Sequence, residues 1–220
     1  MPKTKTLVKI CGITSVTQAL QIAQLGADAI GIISVEESPR YISPESKKKI
    51  FTILEKLYPN IERVSVVKNC PADLIIKNFS DSPTETIIQL HGDEDINYCR
   101  RIRQEIPNIV IWKAFRIKTK KDIDGIKPYE NFIDGILLDS WNKDIYGGSG
   151  KKIKSTFLEN LNFSRPWWLA GGISLDWIDE ILNDIKPDGL DISSSVEISP
   201  GLKNLEMTNR IIKEIKNKSY

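Results

Sequence analysis

The chain has 220 residues, 40% of them hydrophobic and 27% charged, which excludes wholesale disorder. Lys and Arg number 31 against 29 Asp and Glu, leaving a net charge of +2. That is too balanced for the concentrated basic face that nucleic-acid backbones require. Short runs rich in Ile, Val and Leu then alternate with segments of helical period. Residues 6–10 read as a strand and 14–25 as a helix. Residues 27–33 are a second strand, and the next helix opens at Ser43-Pro44-Glu45, where Ser43 suits the N-cap and Pro44 the first helical position. Strands over 63–67, 86–90 and 109–115 precede helices from near Pro71, over 95–105 and, more weakly, over 119–127. The last strands are 135–139, 166–170 and 189–192, with helices over 153–160, 174–184 and 204–217.

This pattern amounts to eight strand–helix units. Strands separated by helices pair in parallel, because a parallel connection needs a crossover. Continuously apolar strands imply a sheet covered on both faces. The pattern predicts an α/β fold, a TIM (β/α)8 barrel, as one domain over 1–220. The rival, an open doubly wound sheet, calls for a Gly-rich first turn, whereas here that turn reads Cys11-Gly12-Ile13-Thr14.

Cys11, Cys70 and Cys99 are scattered and odd in number, which fits a reducing cytoplasm rather than a disulfide framework. His91 is the only histidine, so the usual structural zinc ligand sets are missing from the sequence, and nothing in it calls for a metal. Neither a signal-peptide core nor an apolar run of about 20 residues is present, so the expectation is a cytoplasmic protein with no membrane partner.

In a barrel of this kind, chemistry belongs at the C-terminal ends of the strands and in the loops beyond them. That rule selects Cys11, Arg40 after Ser38-Pro39, Asn69, Gln89 and His91, Arg116, Asp139, the glycine-rich loop at 147–150, Gly171-Gly172, Asp191 and Ser193-Ser194-Ser195. Gly171 and Gly172 after strand 7, with Ser193 and Ser194 after strand 8, occupy the usual phosphate position of such barrels. Cys11 reads either as a small buried residue or as a thiolate whose pKa nearby dipoles or cations depress. Asp139 either caps a loop or acts as an acid at the mouth of an apolar strand. Arg40 is a solvated side chain or a carboxylate clamp, and His91 a pocket hydrogen bonder or a turn residue. Cys70 and Cys99 read as structural, and the lysines at 47–49 and 151–154 as solvated helix faces.

Several strings together resemble the phosphoribosylanthranilate isomerase family. They include Val8-Lys-Ile-Cys-Gly12-Ile-Thr14, Ser38-Pro-Arg-Tyr41, Gln89-Leu-His-Gly-Asp93, Leu137-Leu-Asp-Ser140, Leu169-Ala-Gly-Gly172 and Asp191-Ile-Ser-Ser194, continued by Val196-Glu197 and Pro200-Gly-Leu-Lys203. The resemblance runs from residue 8 to about 203. Ser195 stands where the family usually has glycine, and 152–155 depart from the family's pattern. The resemblance implies an Amadori rearrangement of N-(5-phosphoribosyl)anthranilate to 1-(2-carboxyphenylamino)-1-deoxyribulose 5-phosphate in tryptophan biosynthesis. It implies Asp139 as acid, Cys11 as base, Arg40 on the anthranilate carboxylate, Gln89 and His91 as further substrate contacts, and phosphate held by Gly171, Gly172, Ser193 and Ser194. The 147–150 loop would close over the site. No cofactor or metal is implied, the partner is the small phosphosugar substrate, and the chain is a monomer or a homodimer. Other readings of the same strand ends are an indole-glycerol-phosphate synthase and a non-catalytic phosphosugar binder. The first relies on catalytic Lys and Glu, whereas here strand 1 ends in Cys11.

Overall fold

A computed structural model describes residues 5–80, 83–140 and 152–218; the loop at 147–150 and Lys151 lie outside the described residues. Eight parallel strands close into a barrel in the order β1 to β8: Leu7–Cys11, Ala29–Ile33, Glu62–Val67, Ile87–Leu90, Val110–Ile117, Gly135–Ser140, Trp167–Ala170 and Gly189–Ile192. Closure comes from β8 pairing with β1, with Leu7 opposite Gly189 and Ile10 opposite Ile192. Around it lie α1 (Val16–Gln24), α2 (Pro44–Leu57), α3 (Ala72–Ser80), α4 (Ile96–Glu105), α5 (Lys120–Asp124), α6 (Ser155–Leu158), α7 (Ile178–Glu180) and α8 (Leu205–Lys218). The anticipated Ser43 cap is in place, and the structure adds a second at Asp95. Ser43 accepts from the Ser46 N–H with Pro44 in the first turn, and Asp95 accepts from the Tyr98 N–H.

Other elements depart from the sequence pattern. The helix over 119–127 stops at Asp124, beside Gly125, and a 3-10 turn over Lys127–Tyr129 carries Pro128 in its first turn. The helix over 174–184 starts as a 3-10 turn (Leu175–Trp177) and ends as a π turn (Ile181–Ile185). A short hairpin, β9 (Glu197–Ser199) and β10 (Leu202–Lys203), is inserted before α8. Lys47 is not solvated: its ammonium donates to Ser65 Oγ and pairs with Glu85. Ser195 lies in a 3-10 turn (Ser194–Val196) and is not among the described residues with positive φ, so serine fits there without strain.

Two packing layers position the site. Alternate residues on one face of the strands, such as Val8, Ile10, Ile30 and Ile32, pack outward under the helices. The other face fills the barrel with Ala29, Val64, Ile87, Leu137 and the tilted pair Trp112–Trp168, whose rings are 4.6 Å apart. These indoles use the room left by two glycines: a Cβ at Gly135 would lie 2.5 Å from Trp112, and one at Gly189 2.4 Å from Trp168. At the N-terminal end a device repeats four times. Asp28, Thr86, Asp134 and Asp188 each precede an even-numbered strand and accept a backbone N–H of the strand before it: Val8, Arg63, Ile111 and Trp167, at 2.7–2.8 Å. One end of the barrel is thus tied together by short polar side chains, and the other is left open for chemistry.

Candidate active site

At the C-terminal end, a cavity of about 540 Å³ is lined by Cys11, Arg40, His91, Asp139, Gly171, Gly172, Ser193 and Ser194. Of the residues given a role by the resemblance, Gln89 alone is missing from this lining; the strand-end residues Asn69 and Arg116 also lie outside it, where Asn69 accepts from the Asp93 N–H and Arg116 pairs with the Asp93 carboxylate. Gln89 is completely buried, and both ends of its amide are taken: Oε1 accepts from Lys9 Nζ at 2.7 Å, and Nε2 lies 2.8 Å from His91 Nδ1. Its place is behind His91, outside the cavity lining.

Cys11 ends β1 at 6% exposure, and Asp139 sits near the end of β6 at 3%. Burial pushes the Cys11 thiol above its ordinary value. The Lys9 ammonium opposes that shift, the Asp191 carboxylate reinforces it, and Lys203 opposes it. The expectation of a depressed thiol pKa is therefore corrected: withdrawal from water outweighs the two lysines. Asp139 accepts from the Ser140 N–H at 2.8 Å, and its Oδ2 lies 3.2 Å from His91 Nε2.

Asp191, which also lines the cavity, accepts from Lys9 Nζ through Oδ2 at 2.8 Å. Its Oδ1 is buried without a hydrogen-bond partner among the described residues. A buried carboxylate oxygen without a donor is costly unless a ligand supplies one.

Arg40 is a carboxylate clamp, and in this structure the carboxylate is Glu197. Nε donates to Oε1 at 2.9 Å and Nη2 to Oε2 at 2.7 Å. Gly12 makes room for this arm, since a Cβ there would stand 2.6 Å from Arg40 Cδ. Lys203 Nζ also donates to Glu197 at 2.7 Å and to the Ser193 carbonyl at 3.1 Å. The Ser193 hydroxyl donates to the Cys11 carbonyl at 3.1 Å. Gly171 and Gly172 take left-handed φ values of 84° and 64°, so β7 ends in a turn without side chains on the cavity wall.

Lys9, Glu197 and Lys203 fall within the family-like strings of the sequence but receive no role there. A lysine inside an apolar strand was the available signal for Lys9. The Glu197 carboxyl is held down at about 2, mainly by Arg40 and Lys203 acting against its burial. A group whose pKa is lower folded than unfolded stabilises above its unfolded value and ceases to do so as pH falls through its folded one. The melting temperature of the wild type should therefore exceed that of Glu197→Gln near neutrality, and the gap should narrow as pH falls through about 4.5 toward about 2. A gap independent of pH would contradict this account.

The family described as N-(5'phosphoribosyl)anthranilate (PRA) isomerase matches residues 8–214. The chain belongs to this family. Among its relatives, the N-(5'-phosphoribosyl)anthranilate isomerase of Crocosphaera subtropica is 40% identical over 210 residues, which are 95% of this chain and 98% of that protein. The crystal structure of phosphoribosyl anthranilate isomerase from Thermotoga maritima superposes with a TM-score of 0.84 at 32% identity, covering 96% of this chain and 99% of that one. A second isomerase structure, in complex with reduced 1-(o-carboxyphenylamino)-1-deoxyribulose 5-phosphate, matches at TM-score 0.78 and 30% identity, with 96% and 99% covered. Family membership makes the chain an isomerase of tryptophan biosynthesis with a TIM-barrel fold.

Proposed function

We propose that this chain, acting as one domain over 1–220, isomerises N-(5'-phosphoribosyl)anthranilate with Asp139 as acid and Cys11 as base. The observation that carries the assignment is a single cavity joining the ends of β1, β6, β7 and β8 in a chain of this family. Asp139 protonates the ribose ring oxygen, and the C–O bond breaks to give an open-chain iminium. Cys11 then takes the C2 proton, and the electron pair moves into the iminium. The resulting enolamine tautomerises to the ketone. Each positioned proton transfer contributes about 10²–10⁴-fold.

The raised thiol pKa fits this order of events. Ring opening creates a cation beside Cys11, and an opposite charge at that range favours the thiolate. The base is thus favoured after the acid has acted. Arg40, steadied by Glu197, faces the cavity where the anthranilate carboxylate would lie, and Asp191 Oδ1 accepts a hydroxyl of the sugar chain. The turn at Gly171 and Gly172, with the main chain at Ser193 and Ser194, holds the phosphate.

The purified chain should convert N-(5'-phosphoribosyl)anthranilate, with inorganic phosphate as a competitive inhibitor. In Gly171→Ala, KM should rise and phosphate inhibition weaken, because a Cβ there meets left-handed backbone and stands 2.5 Å from Ser140 Oγ. No conversion overturns the function, and phosphate that inhibits without competing overturns the assignment of the turn.

A further inference from the structure

Three polar side chains form a line from the middle of the barrel to Asp139. Lys9 on β1 donates to Gln89 on β4, Gln89 faces His91, and His91 faces Asp139 on β6. Chemistry fixes the direction of every bond in that line. An ammonium is a donor only, so Gln89 must present Oε1 to Lys9, at 2.7 Å. Its NH₂ then points at His91 Nδ1, 2.8 Å away, and Nδ1 has to accept. A neutral ring that accepts at Nδ1 carries its proton on Nε2, the atom 3.2 Å from Asp139 Oδ2. The anchor is firm, because Lys9 and Gln89 are both completely buried and Lys9 is also bound to Asp191 at 2.8 Å.

We infer that Gln89, oriented by Lys9, is a positioning residue that holds His91 as the Nε2–H tautomer and so keeps the acid proton of Asp139 for the substrate. The other tautomer would present a bare Nε2 to Asp139. That nitrogen would accept the carboxyl proton and draw it away from the ribose oxygen. With Nε2 already protonated, His91 donates to Oδ2 and the proton has no sink on the protein side. The inference rests on Asp139 being the acid.

One histidine in the chain makes the test direct, because a ¹⁵N imidazole spectrum contains a single ring. In the neutral ring, the wild type should show a protonated Nε2 and a bare Nδ1. A protonated Nδ1 in the neutral ring of the wild type overturns the inference without any variant. In Gln89→Glu, a carboxylate bonded to Lys9 accepts from His91 instead, so the spectrum should move to a protonated Nδ1. There kcat should fall by about 10²-fold, the scale of one positioned proton transfer, with KM little changed. An unmoved ring in Gln89→Glu, or a moved ring with wild-type kcat, also overturns it. Failure of the acid assignment shows up separately, as an Asp139→Asn enzyme that turns over normally while the wild-type ring keeps its Nε2 proton.

Discussion

Replacing Asp139 by asparagine should lower kcat by about 10²–10⁴-fold, the range of a lost general acid, while KM stays close to the wild-type value. Asp139 is 3% exposed near the end of β6, on the wall of the cavity, where the proposed acid would meet the ribose end of the substrate. Asparagine matches its size but has no proton to give. An interaction used in the transition state alone lowers kcat and kcat/KM together. Two neighbours limit how well the amide fits. Asp139 Oδ1 accepts from the Ser140 N–H, and Oδ2 faces His91 Nε2. Whichever way the amide turns, its NH₂ meets one of these donors, which costs about 1–3 kcal/mol of stability. A melting curve measured alongside the kinetics separates that loss from the catalytic one. Near-normal kcat in a folded Asp139→Asn enzyme would remove the acid from this position.

The architecture was legible because its signals are local. Ile, Val and Leu runs of strand length recur between helical segments, and Ser43-Pro44 marks a helix start with a side chain that caps within three residues. Strand-end residues such as Cys11 and Asp139 follow from the same periodicity combined with barrel closure. What stayed hidden depends on partners far away in the chain. Lys9 looks like an unremarkable break in an apolar strand until Asp191, 182 residues on, is brought beside it. Lys47 sits in a run of three lysines, and only the fold shows it turned toward Ser65 and Glu85. The β9–β10 hairpin is too short for periodicity to reveal, and it is held by Glu197 bonding to Gly201 and Lys203 and by Thr14 donating to the Gly201 carbonyl. Gln89 was recognised as a strand-end polar residue, but its burial and its two fixed partners belong to the closed barrel.

Burial makes the prediction for Cys11 specific. In the free enzyme the thiol is neutral at ordinary pH, because burial outweighs the neighbouring lysines. Alkylation of Cys11 should therefore be slow near neutrality and keep accelerating as pH passes the ordinary thiol value of 9.0. Substrate should protect it, since Cys11 lines the cavity. The other two thiols need to be accounted for: burial pushes Cys99 up to about 12, whereas Cys70 is raised but only partly buried. Peptide mapping of the label, with Cys11→Ala as control, assigns the reactive site. Kinetics supply an independent reading. The profile of kcat/KM reports groups of the free enzyme, and that of kcat reports groups of the complex. If the iminium cation favours the thiolate, the pKa attributed to Cys11 should be lower in kcat than in kcat/KM. Cys11→Ser keeps the geometry but offers a hydroxyl, a far weaker base, so turnover should drop by at least about 10²-fold. Cys11→Ala should do no better. A Cys11→Ala enzyme that retains most of its activity would place the base elsewhere, and equal pKa values in the two profiles would show that the opened substrate does not act on the thiol.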